Sequence, residues 1–490
     1  MTRVVIIGGG AAGLSCALSL LDAYRARGGT IVPSTSSADA DSSAQAGLSV
    51  RVLEARDQVG GRIGTERHGS FLIETGAATV QETAPGFKEL IARLQLQDQL
   101  VFSDDRARRR YVFRASQLRR LPLKPPEILT TDALSVAARA RLLVEPLLPP
   151  RSATQADESV ESFFARRLGR RVTAELVEPA LAGIYAGDIA EMSMASALPR
   201  IWQMEAEHGS LLKALRASQA SGKGAAAPRL CGLRSGLGQL MQTMGRAVEA
   251  AGGRVQPLST VKSIAPVDQG PGPGQGRYRL QLADSTVIAD ELVIAVPPPA
   301  AARLLNSVDA PLSALYGGIA MAPIVAISLG WPREHVPHPL DGFGFLVPRI
   351  ERMRDGLRLL GALFMTSALP DFEQAPKGQV VIRAMYGGAH DPEVERMADG
   401  ALLEQVQRDL RTTLGIWNEP RFIHIQRWPQ AIEQYRLGHG GRVAEIAARL
   451  RELGHLHATG AALQGVGVPD VLRSGQALGQ KLADALPLHN

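Results

Sequence analysis

The sequence predicts an α/β chain, α+β overall, whose parallel sheet is built from strand–turn–helix units. Three observations predict it. The run Val4-Val5-Ile6-Ile7 is apolar and β-branched, passes at once into Gly8-Gly9-Gly10-Ala11-Ala12-Gly13, and continues with helical composition through Leu21. A second strand, Ser49 to Leu53, ends in the acid Glu54 and is followed by Gly60-Gly61-Arg62. The chain closes on a third strand, His455 to Gly460, whose glycine-rich turn leads into a helix reaching Leu486.

Strand, G-x-G-x-x-G turn and helix together are the context that dinucleotide binding needs. Gly8 permits the tight turn, Gly10 lets a pyrophosphate approach the backbone, and Gly13 lets helix and strand pack closely. Amide hydrogens at the helix start then face two phosphates. Glu54 stands where an acid binds a ribose hydroxyl, which makes the unit Rossmann-like. Residues 26–48, rich in Ser, Ala, Gly and Asp, push Glu54 beyond the usual spacing of about 20 residues. They read as a low-complexity surface insertion in the helix-to-strand connection.

Phe71 to Ala77 is another strand entering a small-residue turn, and residues 86–101 look helical. Residues 106–124 are densely basic with interleaved apolar positions. They read as a solvated strand pair, or as a segment with one or more Arg turned inward to bind carboxylates bidentately. Residues 125–215 are mostly helix-like, broken at Pro125-Pro126, Pro146 and Pro149-Pro150. Asp157-Glu158-Ser159-Val160 carries a capping signature, and the helix entered at Glu178 ends in small residues before Asp188. A polar linker occupies 216–228. Gly232 to Leu237 leads into a helix, a strand near 253–264, a hairpin loop at 266–277, and a buried strand from Glu291 stopped by Pro297. Residues 318–330, 341–348 and 379–387 suggest a mixed sheet, followed by a helix near 400–414.

There are 54 basic and 48 acidic residues, a net charge of +6, which suits an anionic substrate or an anionic membrane surface. Aromatics make up 4% and no nucleic-acid motif is present, so no nucleic-acid partner is expected. Cys16 and Cys231 form no C-x-x-C pair, which excludes a disulfide framework and fits a reducing, cytoplasmic setting. The first strand starts at the N-terminus, leaving no room for a signal peptide. No uncharged apolar run reaches the roughly 18 residues of a spanning helix, so membrane contact is expected to be peripheral. His335 and His338 have loose ligand spacing in a proline-rich loop without nearby acids or cysteines; a surface loop and no metal are expected.

The Gly8–Gly13 turn, the stretch from Leu53 through Gly61 and Arg62 to Glu66, and Phe71–Ala77 resemble the amine-oxidase-like flavoproteins that bind FAD. The paired glycines followed by Arg are their mark. Within that superfamily the chain resembles the oxygen-dependent protoporphyrinogen oxidase family, its coproporphyrinogen-oxidising members included. Residues 157–172, 176–194, 343–348, 427–439 and 460–475 carry the likeness. It covers essentially the whole chain except 26–48 and the linkers.

The resemblance implies three parts. Residues 1–90, 229–299 and 438–490 would form a discontinuous FAD-binding domain. Residues 91–215 would form a helical, membrane-contacting domain, and 300–437 a substrate-binding domain. It implies one non-covalent FAD per chain and oxidation of protoporphyrinogen IX to protoporphyrin IX, with dioxygen reduced to hydrogen peroxide. Coproporphyrinogen III is the alternative substrate. An amine or polyene oxidase and a non-catalytic FAD-binding scaffold are more distant alternatives. The hard chemistry is the flavin's, so no nucleophilic side chain is required. Implied partners are the porphyrinogen, dioxygen, an anionic membrane surface and the next enzyme of haem synthesis, with the chain a monomer or homodimer.

Carried onto this sequence, Gly8, Gly10, Ala11, Ala12 and Gly13 would face the pyrophosphate. Glu54, with Ala55 and Arg56, would hold the adenosine ribose. Gly60, Gly61, Arg62, Gly76 and Ala77 would lie near phosphates and flavin, and Trp428 beside the isoalloxazine. Gly460, Ala461, Val466, Gly467 and Val468 would form the closing turn, whose helix aims its positive end at the flavin's N1/O2 side. For substrate, Arg110 would take a propionate, Phe343 and Leu346 would flank the macrocycle with Met385 opposite, and the Gly183 backbone carbonyl would attract a pyrrole proton. The cluster Arg106, Arg108, Arg109 and Arg110 is denser than one propionate needs and suits the four propionates of coproporphyrinogen.

Overall fold

The computed structural model describes residues 1–33, 46–122, 127–128, 130–152, 156–220, 229–267 and 277–488. The middle of the insertion at 26–48, most of the linker at 216–228 and most of the hairpin loop at 266–277 lie outside the described residues. The insertion's flanks meet each other. The Val32 N–H donates to the Leu48 carbonyl at 2.8 Å and the Leu48 N–H to the Thr30 carbonyl at 2.9 Å. The described flanks of the insertion are therefore joined by backbone pairing, and the second strand keeps unbroken parallel register with the first.

Five parallel strands form the first sheet, in the order Arg254–Gln256, Leu48–Leu53, Thr2–Ile7, Glu291–Ile294, Leu456–Ala458. Val4, Ile6, Val50, Val52 and Val293 have no solvent exposure, as a parallel sheet covered on both faces requires. On one face lie the helices Ala11–Ala26, Gly238–Ala250 and Val468–Ala485, which bury Leu14, Met241 and Leu482 in one core with those strands. A three-stranded antiparallel sheet (Ser263–Pro266, Tyr278–Gln281, Thr286–Ala289) covers the other face with Pro298–Leu305 and Ala310–Gly317. The first and last helices touch along their length. A Cβ at Gly475 would strike the Ala12 carbonyl, and the Ser15 hydroxyl donates to the Leu472 carbonyl at 3.0 Å.

The second large sheet has seven strands, in the order Phe422–Glu433, Met321–Pro332, Gln379–Gly387, Gly361–Phe364, Gly344–Leu346, Arg110–Arg114, Gln117–Arg120. All neighbours are antiparallel except Gly344–Leu346 beside Arg110–Arg114. The helix Asp399–Leu414 packs Leu402, Val406 and Leu410 into its core. Strands stand where the three expected runs do. The basic stretch at 106–124 supplies the last two strands, so a domain break at residue 91 would cut this sheet. Arg110–Arg114 belongs with residues 300–437, because main-chain pairing to Gly344–Leu346 holds it there.

Helices dominate residues 136–220. Ser159 caps Val160–Arg167 by accepting the Ser162 N–H at 3.1 Å, as its sequence signature predicts. The helix expected over 86–101 is shorter, Phe87–Arg93. Gln95 is left-handed at φ 56°, Leu96 is buried, and Leu100–Phe102 becomes a strand paired with Leu230–Leu233. Among the described residues no helix is long and apolar enough to cross a membrane.

Candidate functional site

A cavity of about 650 Å³ opens where the parallel strands end, the crevice in which open α/β sheets bind ligands. Ile7, Leu53 and Ile294 contribute from that sheet, and Ile324, Met385 and Trp428 from the seven-stranded one.

The first turn lines one part of the wall through Gly8, Gly10, Ala11 and Ala12. Gly8 has φ +110°, and a Cβ there would strike the Ala295 carbonyl. At Gly10 no atom lies closer to an added Cβ than the Gly61 Cα at 3.9 Å, so bare backbone faces the space. The helix beyond starts with no side-chain cap, leaving its first N–H groups for a ligand. Gly13 does not line the cavity. A Cβ on it would collide with the Gly8 carbonyl, so it holds the turn against the helix.

Glu54, 7% exposed, lines the wall with Ala55 and Arg56. Its carboxylate accepts the Gly9 N–H at 2.8 Å and the Arg56 N–H at 2.9 Å. Two backbone donors fix its orientation and leave acceptor capacity for hydroxyls. Gly60 and Gly61 run alongside, with the Gly60 N–H donating to the Gly9 carbonyl at 2.8 Å. Arg62 lines the cavity, but its guanidinium pairs with Glu433 and donates to the Ala431 carbonyl. It clips the glycine pair to the strand Phe422–Glu433.

Gly76 and Ala77 line the next part of the wall. The Thr75 carbonyl accepts from Trp428 Nε1 at 2.8 Å and from Arg383 at 3.2 Å, and Arg383 also donates to the Gly76 carbonyl at 2.7 Å. Arg383 is 4% exposed, and its Nε has no hydrogen-bond partner. Burial pulls its pKa down to about 10, against the opposing charge of Glu74. Burial also pushes Glu74 up to about 7, against the Leu237 N–H, the Thr65 hydroxyl and Arg383.

The closing turn brings Gly460, Ala461, Val466 and Val468 to the wall. Gly467 lies behind them as the N-cap of Val468–Ala485, again with no side-chain cap. Two uncapped helix N-termini therefore meet one cavity, which favours a ligand carrying negative charge.

Gly183 and Met385 line the same cavity. Leu346 abuts Gly183, its Cδ2 standing 3.0 Å from where a Gly183 Cβ would be. Arg110 and Phe343 are outside the lining and close to each other, the guanidinium 5.6 Å from the ring centre. The other basic residues of that stretch are engaged, Arg106 with Asp104, Arg108 with Asp105 and Arg109 with Asp341. The expectation that the whole cluster serves extra propionates is therefore corrected, since three of its four charges are matched within the protein. His338 is half-buried rather than a plain loop residue, its Nδ1 accepting the Leu340 N–H at 3.0 Å.

Sequence reasoning missed Arg383 and Glu433. A single Arg inside the apolar run Val380–Tyr386 was the available signal for the first. Glu433 carries no local signal, because its partner Arg62 is 371 residues away in sequence.

Bare turn backbone, two uncapped helix starts, a fixed buried acid and apolar walls fit a flavin dinucleotide. The profile of flavin containing amine oxidoreductases matches residues 11–478. The chain is 28% identical to the coproporphyrinogen III oxidase of Bacillus subtilis, over 99% of this chain and 98% of that protein. It is 29% identical to chloroplastic protoporphyrinogen oxidase 1 of Arabidopsis thaliana, over 89% and 79%. A solved structure from Exiguobacterium sp. 255-15, itself only provisionally assigned as a protoporphyrinogen oxidase, superposes with TM-score 0.79 at 22% identity over 99% of each chain. With the profile spanning nearly its whole length, this chain belongs to the flavin containing amine oxidoreductases and is an oxidoreductase with a flavin cofactor.

Proposed function

We propose that the chain is an FAD-dependent porphyrinogen oxidase, binding one FAD and converting protoporphyrinogen IX to protoporphyrin IX with dioxygen as acceptor. The observation that carries this reading is that Gly183 and Met385, the residues expected to meet the macrocycle, share one cavity with the dinucleotide turn. The names of the relatives support it. A second reading, coproporphyrinogen III to coproporphyrin III, is favoured by the end-to-end match to the Bacillus subtilis protein.

When bound, the flavin would supply the six-electron oxidation as three two-electron turnovers, each followed by its reoxidation by one dioxygen to hydrogen peroxide. The chain's residues do the rest. The Gly8–Gly10 backbone and the two helix starts take the pyrophosphate and the flavin's electron-rich edge. Glu54 takes the ribose hydroxyls. Ile184, Ile324 and Met385 give the cavity an apolar wall against which an apolar macrocycle would pack. Arg110 matches the charge of a propionate, which needs a partner at an apolar cleft.

A peripheral location at an anionic membrane, on the cytoplasmic side, is part of this proposal. It is supported by Val136 (73% exposed), Leu143 (63%) and Leu147 (82%), solvent-facing on the helical part. Aerobic assay of the purified yellow protein with protoporphyrinogen IX and coproporphyrinogen III side by side tests the function. Porphyrin fluorescence from one or both supports it; none from either, with FAD bound, overturns it.

A further inference from the structure

We propose that Glu66, His68 and His424 form a binding site for one divalent transition-metal ion of the zinc class, outside the flavin cavity. His68 Nε2 lies 2.9 Å from Glu66 Oε2, and His424 Nε2 lies 3.2 Å from the same oxygen. One ligand atom from each residue falls within 4.8 Å of the others. Donors around a tetrahedral zinc with bonds of about 2.0–2.1 Å stand about 3.3 Å apart; both His–Glu spacings are near that value, and the His68–His424 pair, within 4.8 Å, would close by side-chain rotation when the ion binds.

The donor set suits that class of ion. Two imidazoles and one carboxylate are borderline ligands that bind zinc, cobalt and nickel in preference to calcium or magnesium. Three protein ligands leave a fourth position for water. The cluster is open to it, since the Glu66 and His68 side chains are 48% and 42% exposed. The His68 and His424 rings stand 4.8 Å apart at 44°.

The scaffold is rigid on both sides. His68 pairs with Phe71 in the hairpin Thr65–His68/Phe71–Glu74. His424 pairs with Ser328 in the seven-stranded sheet. Beside the cluster Phe71 and Phe422 stack with centres 4.2 Å apart and planes 11° from parallel. This contact ties the hairpin to the outer strand before any ion binds. Glu66 and His424 are 358 residues apart in sequence, which is why spacing rules that found no metal motif could not detect the site.

The ion would act as a staple near the cofactor wall. His424 and Trp428 are four residues apart on one strand and so share a face, and Trp428 holds the Thr75 carbonyl just beyond the hairpin. The test is titration of the tag-free, FAD-loaded protein with Co2+ and then Zn2+. Expected are d–d absorption to the red of the flavin bands, saturating at one Co2+ per chain and displaced by Zn2+, and a thermal midpoint raised by Zn2+. His424→Ala and His68→Ala should each weaken binding by more than about tenfold while retaining FAD. His424→Gln and Glu66→Gln repeat the measurement with smaller changes. No saturable Co2+ signal, or binding that survives all four substitutions in FAD-loaded protein, overturns the proposal.

Discussion

Trp428 donates its indole N–H to the Thr75 carbonyl across 2.8 Å. This bond joins the outer strand of the seven-stranded sheet to the loop that follows Phe71–Glu74, just behind the cavity wall formed by Trp428, Gly76 and Ala77. Trp428→Phe keeps an aromatic ring and removes the donor. The expected loss is about 1 kcal/mol of stability, together with faster FAD release. Denaturant melts and dialysis followed at the flavin's visible absorption measure both. An unchanged FAD off-rate would show that the bond does not position the wall.

Arg383 holds the Thr75 and Gly76 carbonyls from a fully buried position beside Glu74. Arg383→Met fills similar volume without donors, leaving two carbonyls and one acid without their cation. A loss of about 2–3 kcal/mol is expected, with a reduced FAD-to-protein ratio. Chemical denaturation and cofactor absorbance check it.

Glu74 gives a pH dependence of defined sign. Its folded pKa, about 7, is above its ordinary value of 4.5. The protonated form is therefore the one folding favours. The stability it contributes is complete below pH 4.5 and is lost as pH rises through about 7. Glu74→Gln keeps a neutral hydrogen-bonding group, so its stability relative to the parent should improve between pH 5 and pH 8. The shift is on the order of 3 kcal/mol. Equal differences at the two pH values would contradict it.

Gly13→Ala places a methyl group against the Gly8 carbonyl. The turn must open, and the protein should purify with little FAD. Full FAD occupancy in this variant would mean that the turn tolerates displacement.

Arg110 lies over the Phe343 ring, outside the lining of the cavity. Arg110→Ala should raise KM for a porphyrinogen about tenfold with FAD content unchanged. Equal loss of FAD would assign Arg110 a structural role instead.

The parts legible in the sequence are those in which neighbours along the chain act together. Val4 to Gly13 encodes a strand, a turn and a helix within one short stretch, and Ser159 encodes its own helix start. The strands at 321–332 and 379–387 announce themselves by apolar runs. The Arg62–Glu433 pair, the Arg383 contacts and the Glu66–His68–His424 cluster were not legible, because sheet pairing brings together residues hundreds of positions apart. The shortened helix at Phe87–Arg93 failed for a related reason. Its helical composition continues past Arg93, but Leu100–Phe102 gains more by pairing with a strand near residue 230.

The contact between Ala11–Ala26 and Val468–Ala485 sets the timing of maturation. Ser15 meets Leu472 only after 457 further residues have been made, roughly 20–90 s at ordinary ribosomal speeds. Throughout that interval the nascent N-terminal helix can pack on its own strands and on Gly238–Ala250 but lacks Val468–Ala485 along its other side. The cradle for the cofactor is thus completed only once the Gly460–Val471 stretch has been made. A cofactor that needs both glycine turns therefore binds fully only after the closing one is made.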